Sequence, residues 1–517
     1  MTLKGLMGRQ PLTVHTIFER LRTVHGDGEV VDACGRTTYA ELAERVLRTL
    51  TALRELGVQP GDRVATFANN SAEHLLLYYA VPLTGAVLHM VNIRLYDDQV
   101  RYVVEHAGDM LLIADDDLLA QVGQLDLPCP TISMSDLATR AAGSAPGIPS
   151  EVDEDDACGI CYTSGTTGMP KGVVYSHRAT YLHAMAACMV DHLGLSQHER
   201  IMPVVPLFHA CGWGLPYAAP FTGAELVFAG ADTSPANLAR IIETERVTWA
   251  AGVPTIWTQL LPLVESGAHD FSSLRTIGVG GAATPRPLME AYDRAGIEIL
   301  QIWGMTETTP LACTSRPRRR HGGLDAAGLR EVRLRTGTIF AGLEARITAA
   351  DGTVLPWDGI TVGELECRGP WVATAYYDEP ALDEKFHDGW LRTGDMAVME
   401  HDGYFRIVDR SKDLVKSGGE WISSLELEAA IMAHPDIREA AVVGVRSKRW
   451  DERPVAVVVP ANGHTPSLVQ LREFLTHRVA KWWMPDELIV VDEVPRTSVG
   501  KFDKKAIREQ LSHLELP

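Results

Sequence analysis

The chain of 517 residues is 46% hydrophobic and 22% charged, an ordinary globular balance with material for a sizeable core and more than one domain. Its net charge of -19 argues against sequence-independent binding to nucleic acid or to an anionic membrane surface. Residues 1–20 lack the basic start and apolar run of a secretory signal. No stretch reaches the roughly 20 apolar residues that span a bilayer, so a cytoplasmic protein is expected.

In chain order, Tyr39 to Leu56 has helical periodicity and stops at Gly57, and Val64 to Phe67 reads as a strand. Gly143 to Asp156 is rich in Gly, Pro and Ser and then acidic, which marks a surface connection. Ala157 to Tyr162 reads as a strand. Its Cys158 and Cys161 form a CxxC, but they should face opposite sides, and no second pair completes a zinc site, so the eight cysteines are expected as free thiols. Arg316 to His321 is a basic stretch that reads as a solvated loop. A second boundary falls near Asp409, after the Gly403 turn, and Ala440 to Val445 and Val455 to Val459 read as buried strands beyond it. Alternating helices and strands predict an α/β class, with domains at 1–409 and 410–517.

The segment Tyr162 to Gly172, YTSGTTGMPKG, directly follows an apolar strand. Glycines let backbone N–H groups approach an anion, while hydroxyls and Lys171 add donors, which is what a polyphosphate needs. The Walker A spacing is absent.

This segment resembles the phosphate loop of the adenylate-forming superfamily, which includes acyl-CoA synthetases, non-ribosomal adenylation domains and luciferases. Four further motifs recur in the family's order: WGMTETTP (Trp303 to Pro310), WLRTGD (Trp390 to Asp395), DRSKDLVKSGGE (Asp409 to Glu420) and PRTSVGK (Pro495 to Lys501). The resemblance implies ATP, Mg²⁺ and coenzyme A as reactants alongside a carboxylic acid. It implies an ATP/AMP site of Thr163, Ser164, Gly165, Thr166, Thr167, Gly168, Lys171, Gly281, Ala282, Ala283, Trp303, Gly304, Met305, Asp395 and Arg410. Glu307 and Thr163 are implied as metal-facing, and Thr306, Glu307, His209 and Lys501 as catalytic. Lys412 is the implied hinge, and Lys416, Ser417, Gly418, Gly419, Glu420 and Trp421 the implied thioester-forming loop. Elementary chemistry agrees. A carboxylate suits a nucleotide-borne Mg²⁺ that keeps several waters, Asp395 can accept from both ribose hydroxyls, and Trp303 offers a face for adenine. Trp303 departs mildly from the Tyr common in the family. Ser423 to Glu426 fits a helix capping box.

Pro206 to Tyr217 (PLFHACGWGLPY) resembles the corresponding segment of bacterial medium- and long-chain fatty-acyl-CoA synthetases, where His209 would border the acyl passage and Trp213 would gate it. The implied architecture is a large N-terminal α/β region with a barrel-like part, carrying a small mobile α+β C-terminal domain. Several alternatives stay open: an aromatic acid, nitrite, a carrier-protein acceptor, a homodimer, a non-catalytic nucleotide-binding protein, and luciferase-like oxidation.

Overall fold

Parallel strands joined by helices build the first half of the chain, as the alternating pattern predicts. The computed structural model describes residues 3, 5–163, 169–379, 384–417, 420–461, 464–496, 502–514 and 516. The predicted helix forms as Tyr39–Glu55. Thr38 caps it and receives the Glu41 N–H, while the Glu41 side chain returns to the Thr38 N–H. Arg63–Phe67 forms the centre of a six-stranded sheet ordered Thr131–Ser133, Asp109–Ala114, Arg63–Phe67, Val87–Met90, Ala157–Tyr162, Gly172–Ser176. Its pairings are parallel except the last, which turns back through the phosphate-loop segment.

A second, 14-stranded sheet carries the rest of the large region. One half runs parallel through Glu225–Val227, Arg200–Pro203, Trp249–Gly252, Thr276–Val279 and Glu298–Gly304. The other continues antiparallel through Leu311–Thr314, Gly337–Ile339, Tyr404–Arg410, Trp390–Met399, Val362–Arg368 and Glu344–Thr348. This antiparallel run continues the same sheet, in an open strand order, where a barrel-like part is expected.

After Arg410 the chain enters a separate five-stranded sheet. Its strands Ile437–Ser447 and Asp451–Pro460 pair throughout and extend both predicted strands. Side-chain alternation splits them between two cores. Ala440, Val442, Ala456 and Val458 pack with Leu427 and Leu471 of the helices Ser424–Met432 and Leu468–Leu475. Ala441, Val443, Val455 and Val457 pack with Ile507 of the helix Lys504–Gln510.

Two local readings change. The connection after Gly143 lies at the surface as expected and is tied to the core at two points: Gly147 N–H donates to Leu47 O and Ser150 N–H to Leu83 O. Arg316 to His321 is ion-paired and stacked. Arg320 meets Asp402 at 2.6 Å, and Arg318 lies 5.1 Å from the Tyr404 ring centroid. Cys158 and Cys161 join one apolar cluster, because a bulge between Ala157 and Gly159 shifts the strand's alternation there. All eight cysteines are free, as expected. Among the described residues, no helix is long and apolar enough to cross a membrane.

Candidate active site

In a parallel sheet, loops leaving the C-terminal ends of adjacent strands converge on one edge, where ligands bind. Here Arg200–Pro203 leads into Pro206 to Tyr217, Thr276–Val279 into Gly280 to Ala283, and Glu298–Gly304 into Met305 to Pro310. The tertiary fold therefore brings together segments that lie about a hundred residues apart. Gly281, Ala282 and Ala283 are solvent-exposed at this edge. Gly304 admits no side chain, since a Cβ would stand 2.0 Å from Pro310 O.

Asp395 is 2% exposed, and each of its oxygens meets one protein donor. Trp303 Nε1–H donates to its Oδ2 at 3.0 Å, and Arg410 Nε lies 2.8 Å from its Oδ1. Asp395 in turn raises the Arg410 pKa above its ordinary value. The Trp303 ring meets Phe405 edge-on, with centroids 5.8 Å apart. Trp303 and Asp395, on separate strands of the same sheet, are thus held as one unit.

Glu307 is 3% exposed. Tyr376 O–H donates to its Oε1 at 2.5 Å and Lys385 Nζ to the same oxygen at 3.3 Å. Thr306 is placed through its carbonyl, which accepts from Tyr175 O–H at 2.7 Å. Lys171 Nζ stands 4.7 Å from the Tyr376 centroid, above the ring. Thr163 is tied to Lys171 by two bonds: its N–H donates to Lys171 O at 2.9 Å, and its Oγ1 accepts from Lys171 N at 3.1 Å. Ser164, Gly165, Thr166, Thr167 and Gly168 lie outside the described residues. Among the described residues no cluster of three His, Cys, Asp or Glu side chains can hold a metal ion. A single buried carboxylate beside a phosphate loop does fit an Mg²⁺ delivered by ATP, which needs few protein ligands. Glu307 and Thr163 are the residues that would face it.

In the segment Pro206 to Tyr217, Trp213 is 6% exposed and buried in an apolar cluster with Leu207, Phe208, Cys211, Tyr217 and Ile302. Gly280 makes room for it: a Cβ there would lie 3.0 Å from the Trp213 ring. Trp213 reaches this place through a left-handed turn. Ala210, Cys211, Gly212, Trp213 and Gly214 have φ of 35, 43, 55, 57 and 73°. Left-handed backbone costs about 1–2 kcal/mol per non-glycine residue, so surrounding contacts must hold it. Asn70 accepts from Leu207 N–H and donates to Pro203 O and Val205 O. Tyr78 and Tyr79 donate to Leu207 O and Pro216 O. His183 lies against Gly214, and its Nε2 accepts the Leu311 N–H at 3.1 Å. His209 opens the turn, its carbonyl accepting from Gly212 N–H. Asn70, Tyr78, Tyr79 and His183 were not singled out from sequence, because each acts across more than 120 residues.

At the proposed hinge, Arg508 donates to Lys412 O and pairs with Asp413 at 2.7 Å, and burial lowers the Lys412 pKa. Buried Asp409 accepts from Ser424 N–H and Oγ–H, while Lys504 binds Ser424 Oγ and Glu428. Ser423 caps its helix as expected, receiving the Glu426 N–H, but Glu426 pairs with Arg406. Lys416 and Ser417 lie on a strand paired with Glu420–Ile422. Ser417 accepts from Arg453, and Trp421 is 50% exposed with Lys416 Nζ 5.1 Å from its centroid. Gly418, Gly419 and Lys501 lie outside the described residues.

Comparison with known proteins places the chain in a family. The family described as AMP-binding enzyme matches residues 18–377, and the AMP-binding enzyme C-terminal domain matches residues 426–501. The long-chain-fatty-acid–CoA ligase of Thermus thermophilus is 42% identical, over 97% of this chain and 96% of its own. The 3-methylmercaptopropionyl-CoA ligase of Ruegeria pomeroyi is 39% identical, over 98% of each chain. The solved structure of o-succinylbenzoate coenzyme A synthetase from Bacillus subtilis, in complex with ATP and magnesium ion, is 26% identical with a TM-score of 0.82, covering 96% of this chain and 99% of that one. The chain belongs to the AMP-binding enzyme family, among its AMP-forming acyl-CoA ligases.

Proposed function

We propose that this ligase activates a straight-chain aliphatic acid of medium or long chain and passes the acyl group to coenzyme A. The observation that carries the chain-length reading is Trp213, buried among apolar side chains against Gly280 at the edge where the nucleotide loops emerge. An alkyl chain entering beside that ring gains about 0.8 kcal/mol per buried methylene.

In this reading Trp303 stacks adenine, Asp395 accepts the ribose hydroxyls, and Lys171 with Thr306 holds the triphosphate. Glu307 and Thr163 would hold Mg²⁺, whose charge would offset that of the phosphates. The acid's carboxylate attacks the α-phosphorus and pyrophosphate leaves, with Lys501 stabilising the developing charge. The chain divides at residues 409 and 410, and a swing about Lys412 exchanges Lys501 for the Lys416 to Trp421 segment. The thiolate of coenzyme A then attacks the acyl carbonyl beside His209, and AMP leaves. Exposed tryptophans on the C-terminal domain support a nucleotide-bearing acceptor. Arg449 lies 4.7 Å from the Trp450 centroid, Lys416 5.1 Å from that of Trp421, and Trp482 is half-exposed. Flat faces beside cations suit an adenine and its phosphates.

The test is pyrophosphate release with straight-chain acids, 3-methylmercaptopropionate, aromatic acids and nitrite, followed by AMP release with and without coenzyme A. The straight-chain series should dominate, and AMP release should require coenzyme A. Uniformly poor alkanoates would sink the substrate assignment, and AMP release without coenzyme A would sink the acceptor.

A further inference from the structure

Two lysines flank the tyrosine that binds Glu307. Lys385 Nζ donates to Glu307 Oε1 at 3.3 Å and to Tyr376 Oη at 3.1 Å, while Tyr376 O–H donates to the same carboxylate oxygen at 2.5 Å, so the three groups close a triangle. Lys171 occupies the ring face of Tyr376 at 4.7 Å, and Phe386 meets that ring edge-on at 5.1 Å. Arg392 N–H donates to Lys385 O at 2.8 Å, which anchors the lysine's backbone to the strand that carries Asp395. Tyr376 and Glu307 are buried, whereas the Lys385 side chain is 40% exposed and can leave without disturbing the core.

A buried carboxylate needs a compensating charge. Lys385 supplies it here. A divalent cation at Glu307 would supply more, and it would repel an ammonium bonded to the same carboxylate. We infer that Lys385 holds the place of the divalent cation at Glu307, competing with it and yielding when the metal–nucleotide binds, while Tyr376 keeps the carboxylate oriented. Lys385 is then a positioning residue that sets the metal requirement of adenylation. The inference rests on Glu307 as the metal-facing carboxylate.

The experiment is Mn²⁺ binding, read from the electron paramagnetic resonance signal of free Mn²⁺, with the full-length protein saturated by a non-hydrolysable ATP analogue. Lys385→Met should tighten Mn²⁺ binding by at least about fivefold, the size of a unit-charge interaction at about 4 Å under the full screening of water. Lys385→Arg should restore the unmodified affinity, and Glu307→Gln should weaken binding, the phosphates of the analogue still holding the ion. A tighter site is not what a structural defect produces. Unchanged or weaker binding in Lys385→Met, with weaker binding in Glu307→Gln, would overturn the placeholder role and leave Glu307 as the metal-facing group. Unchanged binding in Glu307→Gln would overturn both.

Discussion

Trp303 and Asp395 are joined directly: the indole N–H donates to the carboxylate at 3.0 Å across 92 residues of sequence. The bond fixes the plane of the indole relative to the carboxylate. A carboxylate offers about four lone-pair positions, so two protein donors still leave room for a sugar's hydroxyls. Asp395→Ala removes the acceptor and strands the Arg410 charge. Its ATP dissociation constant, measured by calorimetry, should rise by at least tenfold, since charge-assisted bonds contribute about 1.5–3 kcal/mol each. Trp303→Phe keeps a ring and deletes only the anchor, so its loss should be smaller. Unchanged affinity in Asp395→Ala would remove Asp395 from the ribose site.

Lys501→Ala is predicted to lose adenylation while keeping transfer from supplied acyl-AMP to coenzyme A. One charge-stabilising donor typically carries about 10²–10³ in rate. The two half-reactions should be timed separately on the same folded preparation. Equal loss in both would count against an exchange of C-terminal segments.

Trp213 should control chain length. In the unmodified enzyme kcat/KM should climb with each methylene up to an optimum, at about 0.8 kcal/mol per step. Trp213→Ala should flatten or displace that optimum and leave ATP affinity intact. Gly280→Ala places a methyl 3.0 Å from both the Trp213 ring and Ile302 O, so it should shift the same series by moving the ring. An optimum that neither variant alters would separate Trp213 from the acyl passage.

Acid sensitivity should follow buried histidines. Burial pushes His183 and His177 down to about 3 and His74 to about 4. His74 Nδ1 lies 3.1 Å from Asn69 O and its Nε2 3.1 Å from Thr66 Oγ1, and His177 Nδ1 accepts the Val14 N–H, so neutral rings are built into the fold. The folded pKa lies below the unfolded value of 6.5, so below pH 6.5 the unfolded chain binds more protons. Stability is therefore complete above pH 6.5 and declines as pH falls toward 3–4, by about 1.4 kcal/mol per pH unit for each histidine. Thermal unfolding at pH 7.5 and 5.5 should show the decline, and His183→Gln should reduce its slope by about one proton's share. A slope unchanged in that variant would mean His183 does not titrate on unfolding.

The local sequence determined what local chemistry can specify. Thr38 and Glu41 announce a helix start through their own side chains. Val442 and Val443 divide between two cores by strand alternation, and the tract YTSGTTGMPKG carries the resemblance to the family that the chain belongs to. Only the tertiary structure decided which distant groups complete those motifs. Asn70, Tyr78 and His183 brace the left-handed turn before Trp213, and Tyr376 and Lys385 converge on Glu307. Lys504 reaches Ser424 and Glu428 beside Asp409. The physical reason is that caps and periodicity act within a few residues, whereas a buried carboxylate or a strained turn is stabilised by whichever side chain packing brings within 3 Å, and sequence spacing carries no record of that.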